Sequence, residues 1–268
     1  MIVEVLSDHP GDELRRLDAA READREEVER HRRLVDQRRL ELRTQRRWWN
    51  IRARRRDAAE VMAMDRARPT LDSTLSRRHA QQAAGVAGEE QMTSALLPLT
   101  NEWHLFRGYV NRCGEMDHLL VGPGGVWAVE VKVRPVTINV AGDHWTFDKY
   151  DRYGNLVGHG ALVDGRNRSW GRQVTEVAYE LERFMLSRGV LTSVRSAVVV
   201  LHDRARLGTI DDLRVDLLCV GPEPLLERLR DAAPELDAEQ RTKTVSMVRR
   251  DHAFHAQRRL QRSKPDSH

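Results

Sequence analysis

Cysteine is nearly absent. Cys113 and Cys219 are the only two in 268 residues, which excludes a disulfide framework and a four-cysteine zinc site. Aromatic residues are scarce at 5%, while charged residues reach 32% against 40% hydrophobic. Such a chain is too apolar to be wholly disordered and too charged to be core throughout. No run of about 18 apolar residues occurs, so no membrane-spanning helix is expected. The opening stretch Met-Ile-Val-Glu-Val-Leu-Ser-Asp-His-Pro lacks the basic region and long apolar region of a secretory signal. Also missing are Gly-x-x-x-x-Gly-Lys-Ser/Thr, Gly-x-Ser-x-Gly and His-Glu-x-x-His, so the chain shows no phosphate loop, nucleophile elbow or zinc-protease helix. These absences together favour a cytoplasmic protein.

What is present is charge, unevenly spread around a net of +4. Residues 1–68 carry 18 Arg against 15 acids, residues 237–268 carry 8 Lys/Arg against 4 acids, and the middle carries 19 against 22. Basic flanks can supply the sequence-independent attraction to phosphate that dominates nucleic-acid binding; a solvated helical surface is the plainer reading. Residues 12–67 contain no Gly or Pro and predict one long helix. Leu14, Val28, Val35, Leu42 and Trp49 recur at heptad spacing, but Arg21 and Arg56 fall in the same series and the companion positions His31, Arg38 and Gln45 are polar. A coiled coil that would join two copies is therefore only weakly specified. Within this helix, nine Arg and one acid between Arg38 and Arg56 surround Trp48-Trp49. Arg46, Arg47, Trp48, Trp49, Arg54, Arg55 and Arg56 thus form a candidate nucleic-acid surface, with an anionic membrane surface or packing of the tryptophans on a neighbouring helix as alternatives.

Pro69 ends the long helix, Asp72–Ser76 reads as a loop, and residues 77–95 read as the next helix. Strand signals follow at Trp103–Val110, Met116–Val121, Val126–Val133 and Val136–Val140, with a further hairpin over Asp143–Val157. A helix over Ser169–Ser187, apolar strands at Ser196–Leu201 and Val215–Val220, and helices at 223–232 and 237–262 complete the reading. This order predicts an α/β sandwich. It divides into a basic helical extension (1–76), a central α/β domain (77–222) and a basic helical C-terminal region (223–268).

The most informative stretch runs from Glu115 through Asp117, Gly122-Pro-Gly-Gly125 and Glu130-Val-Lys132. It predicts a hairpin with an acid on one strand and an acid plus a lysine on the next. Glu130 and Lys132 share one face by strand alternation. Charges on strands otherwise this apolar are costly unless they pair. Metal-assisted phosphodiester cleavage is one reason to keep them. A hard cation such as Mg²⁺ prefers carboxylate oxygens, neutralises phosphate charge and lowers the pKa of bound water. Asp117 and Glu130 are candidate ligands, and Lys132 a candidate for orienting water or stabilising charge on phosphorus. A structural acid–lysine pair is the alternative. His118 points to the opposite face and reads as a packed histidine. Glu90 reads as solvent-facing, and Glu115 as a loop residue or an acid further from the centre. Arg166, Arg168 and Arg172 either grip phosphate beside the site or form a loop and helix-start surface.

Asp117-x₁₂-Glu130-x-Lys132 resembles the catalytic core of the PD-(D/E)xK nuclease superfamily. The wording is closer still to the nuclease-related domain family. Gly85-Val-Ala-Gly88-Glu89 is similar to its Gly-x-x-Gly-Glu helix start, and Asp117-His118-Leu-Leu-Val-Gly-Pro-Gly-Gly-Val to its second element. Glu130-Val-Lys132 is similar to its third, and Gln173 in Trp170-Gly-Arg-Gln173 to the glutamine of its later helix. The likeness covers roughly residues 80–205. It implies a restriction-endonuclease-like core, a central mixed sheet flanked by helices, with the long N-terminal and the C-terminal helices added. It implies Glu89 as a helical acid reaching the metal, Asp117 and Glu130 as ligands of Mg²⁺ or Mn²⁺, Lys132 as the catalytic lysine and Gln173 as a residue positioning it or a phosphate. Many relatives follow the lysine with Asn and an aromatic residue; Val133-Arg134-Pro135 stands here instead. The expected function is metal-dependent hydrolysis of nucleic acid, DNA first. A non-catalytic nucleic-acid binder on a degenerate core, or a helical scaffold that self-associates through the N-terminal helix, remain as alternatives.

Overall fold

The computed structural model describes residues 1–44 and 50–263. They form two compact units, Met1–His9 with Ala84–His268, and Pro10–Ala83. The sequence suggested boundaries at 76/77 and 222/223. The units divide differently because the C-terminal helix packs on the central sheet.

In the smaller unit, α1 (His9–Thr44) runs beside α2 (Ile51–Arg66) and the first part of α3 (Ser73–Leu96). His31 Nε2 lies 2.8 Å from the Met64 carbonyl, Arg38 pairs with Glu60 at 2.9 Å, and Arg39 pairs with Asp65. On the α3 side, His79 Nε2 meets Asp18 at 2.7 Å and Nδ1 meets Arg21 at 2.8 Å. Leu17 and Val35 are buried. The heptad face of α1 is therefore occupied within the unit, by polar partners at the positions that weakened the coiled-coil pattern. The single helix expected over 12–67 is two helices. Asn50 caps the second, its side chain accepting from Ala53 N at 3.0 Å, and an Asn inside a charged run gives no strong stop signal of its own. The loop expected at Asp72–Ser76 is instead the start of α3, where Asp72 Oδ1 accepts from Thr74 N at 2.7 Å. Arg46, Arg47, Trp48 and Trp49 lie outside the described residues.

The larger unit is built on a six-stranded mixed sheet. Its strands are β1 (Ile2–Val5), β2 (His104–Val110), β3 (Glu115–Gly122), β4 (Gly125–Lys132), β8 (Val194–Val200) and β10 (Leu217–Val220), in that spatial order. β2, β3 and β4 are antiparallel neighbours, and β4 pairs parallel with β8. Alternation along β4 feeds two cores. Val126 and Ala128 face one cluster with Val174, Val177 and Leu181 of α4 (Trp170–Leu186), while Trp127, Val129 and Val131 face the other with Met92 and Leu96 of α3. A strand covered on both faces reads as a nearly continuous apolar run, which is why Glu130 and Lys132 stand out in it. α4 presents its apolar side chains at three- and four-residue spacing and is capped by Ser169, which accepts from Arg172 N at 3.1 Å.

A second sheet, ordered β7 (Leu156–Ala161), β6 (His144–Tyr150), β5 (Thr137–Ala141) and β9 (Arg206–Asp211), joins the α4 side through Ile138, Val140 and Trp145. β1 and β9 carried no sequence signal. β9 is exposed along its whole length, so it has no buried face to impose an alternation. α5 (Glu223–Arg230) buries Leu225, Leu226 and Leu229, and α6 (Ala238–Ser263) docks through buried polar contacts. Tyr109 OH donates to Asp251 at 2.5 Å, and Val110 N donates to His252 Nδ1 at 3.1 Å. Arg249 and His104 both meet Glu4, tying α6, β2 and β1 together. No helix among the described residues is long and apolar enough to cross a membrane.

Gly88 lies where α3 presses on the exit of β4. A Cβ there would fall within the radius of Val133 Cγ2, whereas one at Gly85 would meet open space. Gly88→Ala is therefore expected to cost about 1–3 kcal/mol through overpacking. Gly85→Ala is expected to gain roughly 0.5–1 kcal/mol from helix propensity. Urea unfolding of the two variants checks this, and equal effects would contradict the close approach.

Candidate active site

Glu130 is the centre of the cluster. It sits mid-sheet beside Val198 of β8 and is only 2% exposed. Its Oε1 accepts from Lys132 Nζ at 2.5 Å and from Gln173 Nε2 at 2.8 Å. The first contact follows from strand alternation on β4. The second is delivered by α4, whose capped first turn places Gln173 over the sheet. Glu130 Oε2 and Gln173 Oε1 are buried without a hydrogen-bond partner. Lys132 lies 5.8 Å from the Trp170 ring centroid, and Arg134 stands 5.9 Å from the same ring.

Asp117 joins from β3. Its Oδ2 accepts from Val131 N at 2.7 Å. Burial pushes this carboxyl well above the usual range, and the charges of Glu130 and Glu89 push it further, against Lys132 and the Val131 amide. Glu89, on α3, is raised to about 7, chiefly by burial and then by Glu130 and Glu115, while Arg107 opposes the shift. Arg107 stands 3.8 Å from Glu89. For Lys132, burial alone would lower the pKa, but Glu130 and Asp117 more than offset it, so the ammonium is held protonated.

The structure thus brings Glu130, Lys132 and Gln173 into direct contact and sets Asp117 and Glu89 close enough to couple electrostatically. Glu115 is not a loop residue. It opens β3 opposite Val110, its carboxyl is partly buried and raised by that burial, and Arg259 of α6 reaches it at 3.4 Å. His118 is buried on the other face, with Nε2 2.8 Å from Thr93 Oγ1. Glu90 is exposed. Arg168 is committed to Asp164, Glu176 and the Cys113 carbonyl, and Arg172 to Glu176, so both brace the loop before α4. Arg166 reaches the Cys113 carbonyl at 3.4 Å. Arg54, Arg55 and Arg56 are exposed on α2 of the smaller unit. Arg107 escaped the sequence reading. The signal was available, since it is a charge in the otherwise apolar run His-Leu-Phe-Arg-Gly-Tyr-Val, the same oddity that marked Glu130.

The donor set fits a hard divalent cation. Carboxylates are crowded in a buried space, burial and neighbouring charge raise Asp117 and Glu89, and Glu130 Oε2 has no partner. Among the described residues, however, no three His, Cys, Asp or Glu side chains already form a metal-holding group. In this arrangement Lys132 supplies the compensating charge.

A two-sided mixed sheet carrying an acid, an acid-x-lysine and a helical glutamine defines a nuclease-like α/β protein. Residues 84–201 match the family model of the nuclease-related domain. The match begins at Ala84, where the larger unit resumes. No curated protein and no solved structure matches the chain.

Glu89 gives a pH prediction. Its folded pKa is raised from 4.5 to about 7, so its contribution favours the fold below the lower value and is lost as pH rises through the upper one. His118 acts oppositely, since burial lowers it from 6.5 to about 3; its neutral form favours the fold above the higher value, and that contribution is lost as pH falls. The comparison with Glu89→Gln isolates the glutamate. Relative to wild type, Glu89→Gln should gain on the order of 1–3 kcal/mol on passing from the acid to the neutral end of the Glu89 window. Urea unfolding in metal-free buffer measures it, and a pH-independent difference would remove the assigned shift.

Proposed function

We propose that this protein is a Mg²⁺- or Mn²⁺-dependent nuclease that hydrolyses phosphodiesters of nucleic acid, with DNA as the first substrate to test. The observation that carries the reading is the contact of Glu130 with Lys132 and Gln173 inside a nuclease-related domain, with Glu130 Oε2 left without a partner. Asp117, Glu130 and Glu89 would hold the ion. When bound, such a cation neutralises phosphate charge and lowers the pKa of a bound water.

The chain's own residues supply the rest. Lys132 is kept protonated by two carboxylates, so it serves as a fixed positive charge toward the phosphate and not as a base. Gln173 fixes the Glu130 carboxylate through Oε1 and keeps its own Oε1 available to a donor. Burial around Glu130 excludes bulk water and strengthens each of these interactions.

One observation favours a second reading. The charge of Glu130 is paired with Lys132 through Oε1 without a cation, and no ready-made metal group is present among the described residues. On that reading the domain binds nucleic acid without cutting it. Plasmid cleavage with Mg²⁺ or Mn²⁺ separates the two. Glu130→Ala and Lys132→Ala should each lower cleavage by about 10²-fold or more, and EDTA should abolish it. Equal cleavage by wild type and both variants would reject the site, while salt-sensitive binding without any cleavage would support the second reading.

A further inference from the structure

Beyond Lys132 the chain leaves the six-stranded sheet through Val133-Arg134-Pro135 and enters β5 of the second sheet. The exit is fixed by backbone bonds. Leu201 N donates to the Lys132 carbonyl at 2.8 Å, and Arg206 N to the Val136 carbonyl at 3.1 Å. The continuations of β4 and β8 therefore leave together. Between them and the end of β6 lies a pocket of about 230 Å³, lined among others by Pro135, Lys149, Tyr150, Arg204 and Arg206. Pro135 is three residues from Lys132, so their Cα atoms lie within about 11 Å. That is a few nucleotides at the roughly 3.4 Å rise of a nucleic-acid strand.

The pocket also contains Asp148 and Asp151, but their oxygens are engaged within the second sheet and its turn. Asp148 accepts from Asn139 at 2.8 Å and contacts His159 at 2.7 Å, and Asp151 accepts from the Tyr153 and Asn155 amides at 2.8 and 2.9 Å. Among the described residues Lys149, Arg204 and Arg206 have no ion-pair partner, nor has Arg134 beside Trp170. Arg206 is anchored instead by the Asp203 and Ala205 carbonyls. Beside these cations the hairpin exposes aromatic faces, Tyr150 at 48% and Tyr153 at 73%, the latter covered at 4.6 Å by Arg152. Free cations next to exposed aromatic rings match a strand that offers both phosphates and bases, and not an acidic peptide, which has no bases to stack.

We propose that this pocket is a strand-holding subsite, in which a nucleic-acid strand leaving the acid–lysine centre lays a phosphate on Lys149 and Arg204 and stacks a base on Tyr150. The inference rests on the nucleic-acid reading above and adds where the substrate lies. It also gives the departure at Val133-Arg134-Pro135 a consequence, since the early end of β4 is what brings the second sheet beside Lys132.

The test is fluorescence polarisation of a labelled single-stranded oligonucleotide with the full chain in EDTA, over a salt series. Lys149→Glu with Arg204→Glu should weaken binding about tenfold or more and reduce the slope of log affinity against log salt by about 0.7, for the one phosphate they hold. Tyr150→Ala should weaken binding about tenfold with the slope unchanged. Arg228→Glu with Arg230→Glu, an equal charge change on α5, should leave affinity as it was. Circular dichroism confirms that each variant is folded. Three results would overturn the subsite: equal losses in the two charge-reversed pairs, equal competition by polyglutamate, or unchanged affinity in the Lys149/Arg204 pair and in Tyr150→Ala while wild type still binds and cleaves. The last leaves the nuclease reading standing, whereas a wild type that neither binds nor cleaves nucleic acid removes both.

Discussion

An ionisable carboxylate in the middle of a sheet covered on both faces must find its partners within the protein, because water cannot reach it. Glu130 is such a group. Its partners come from different levels of the structure: Lys132 from the same strand two residues on, and Gln173 from a helix 43 residues away. Everything that positions α4 over β4 therefore also positions the site. The Ser169 cap starts the helix, the stripe from Val174 to Met185 seats it, and Gly171 lets its first turn approach Trp145. A shift of this helix would take the Gln173 bond from Glu130 Oε1 and leave Lys132 as its one partner in a dry environment.

Crowding of acids is the second constraint, and it connects the two faces of the sheet. Asp117 and Glu130 belong to adjacent strands, while Glu89 arrives on α3, from the side opposite α4. Burial first, and then the charge of neighbouring acids, raises Asp117 and Glu89, and Arg107 and Lys132 limit the effect. A cluster of this kind is poorly explained by stability, because apolar residues of similar volume would fit the same strands at lower cost. On the function proposed above, a positively charged ligand would relieve the repulsion. The same field keeps Lys132 cationic.

The early end of β4 links the site to the second sheet. Pro135 cannot donate to a ladder, so the chain turns off after Lys132, and the hairpin of β6 and β7 is carried to the same end of the molecule as the lysine. Asp151 of that hairpin stabilises its turn and Asp148 bonds across to Asn139 and His159, while Lys149, Tyr150 and Tyr153 are exposed. The basic α6 belongs to the same unit through Tyr109, Asp251 and His252 and sends Arg259 to Glu115. Basic flanking sequence thus reaches the acidic centre by packing, in addition to any long-range attraction.

The elements around the site were legible in the sequence because each has a local cause. Strand alternation put Glu130 and Lys132 on one face, the Gly-Pro-Gly-Gly run closed the hairpin, and charges in apolar strands marked themselves as unusual. The family likeness placed Glu89 and Gln173 in order along the chain. Other features had no local cause. The break near Asn50 depends on a single cap. β1 and β9 exist because a neighbouring strand offers them a ladder, and Arg168 is consumed by Asp164 and Glu176, which a list of arginines cannot reveal. Which oxygen of Glu130 is bonded and which is left bare, and the raised pKa of Glu89, depend on distances between elements far apart in sequence. The sequence by itself determined which chemical groups are present and on which strand faces they stand. Only the tertiary structure decided which of them share a buried space, because desolvation and charge coupling act through space and not along the chain.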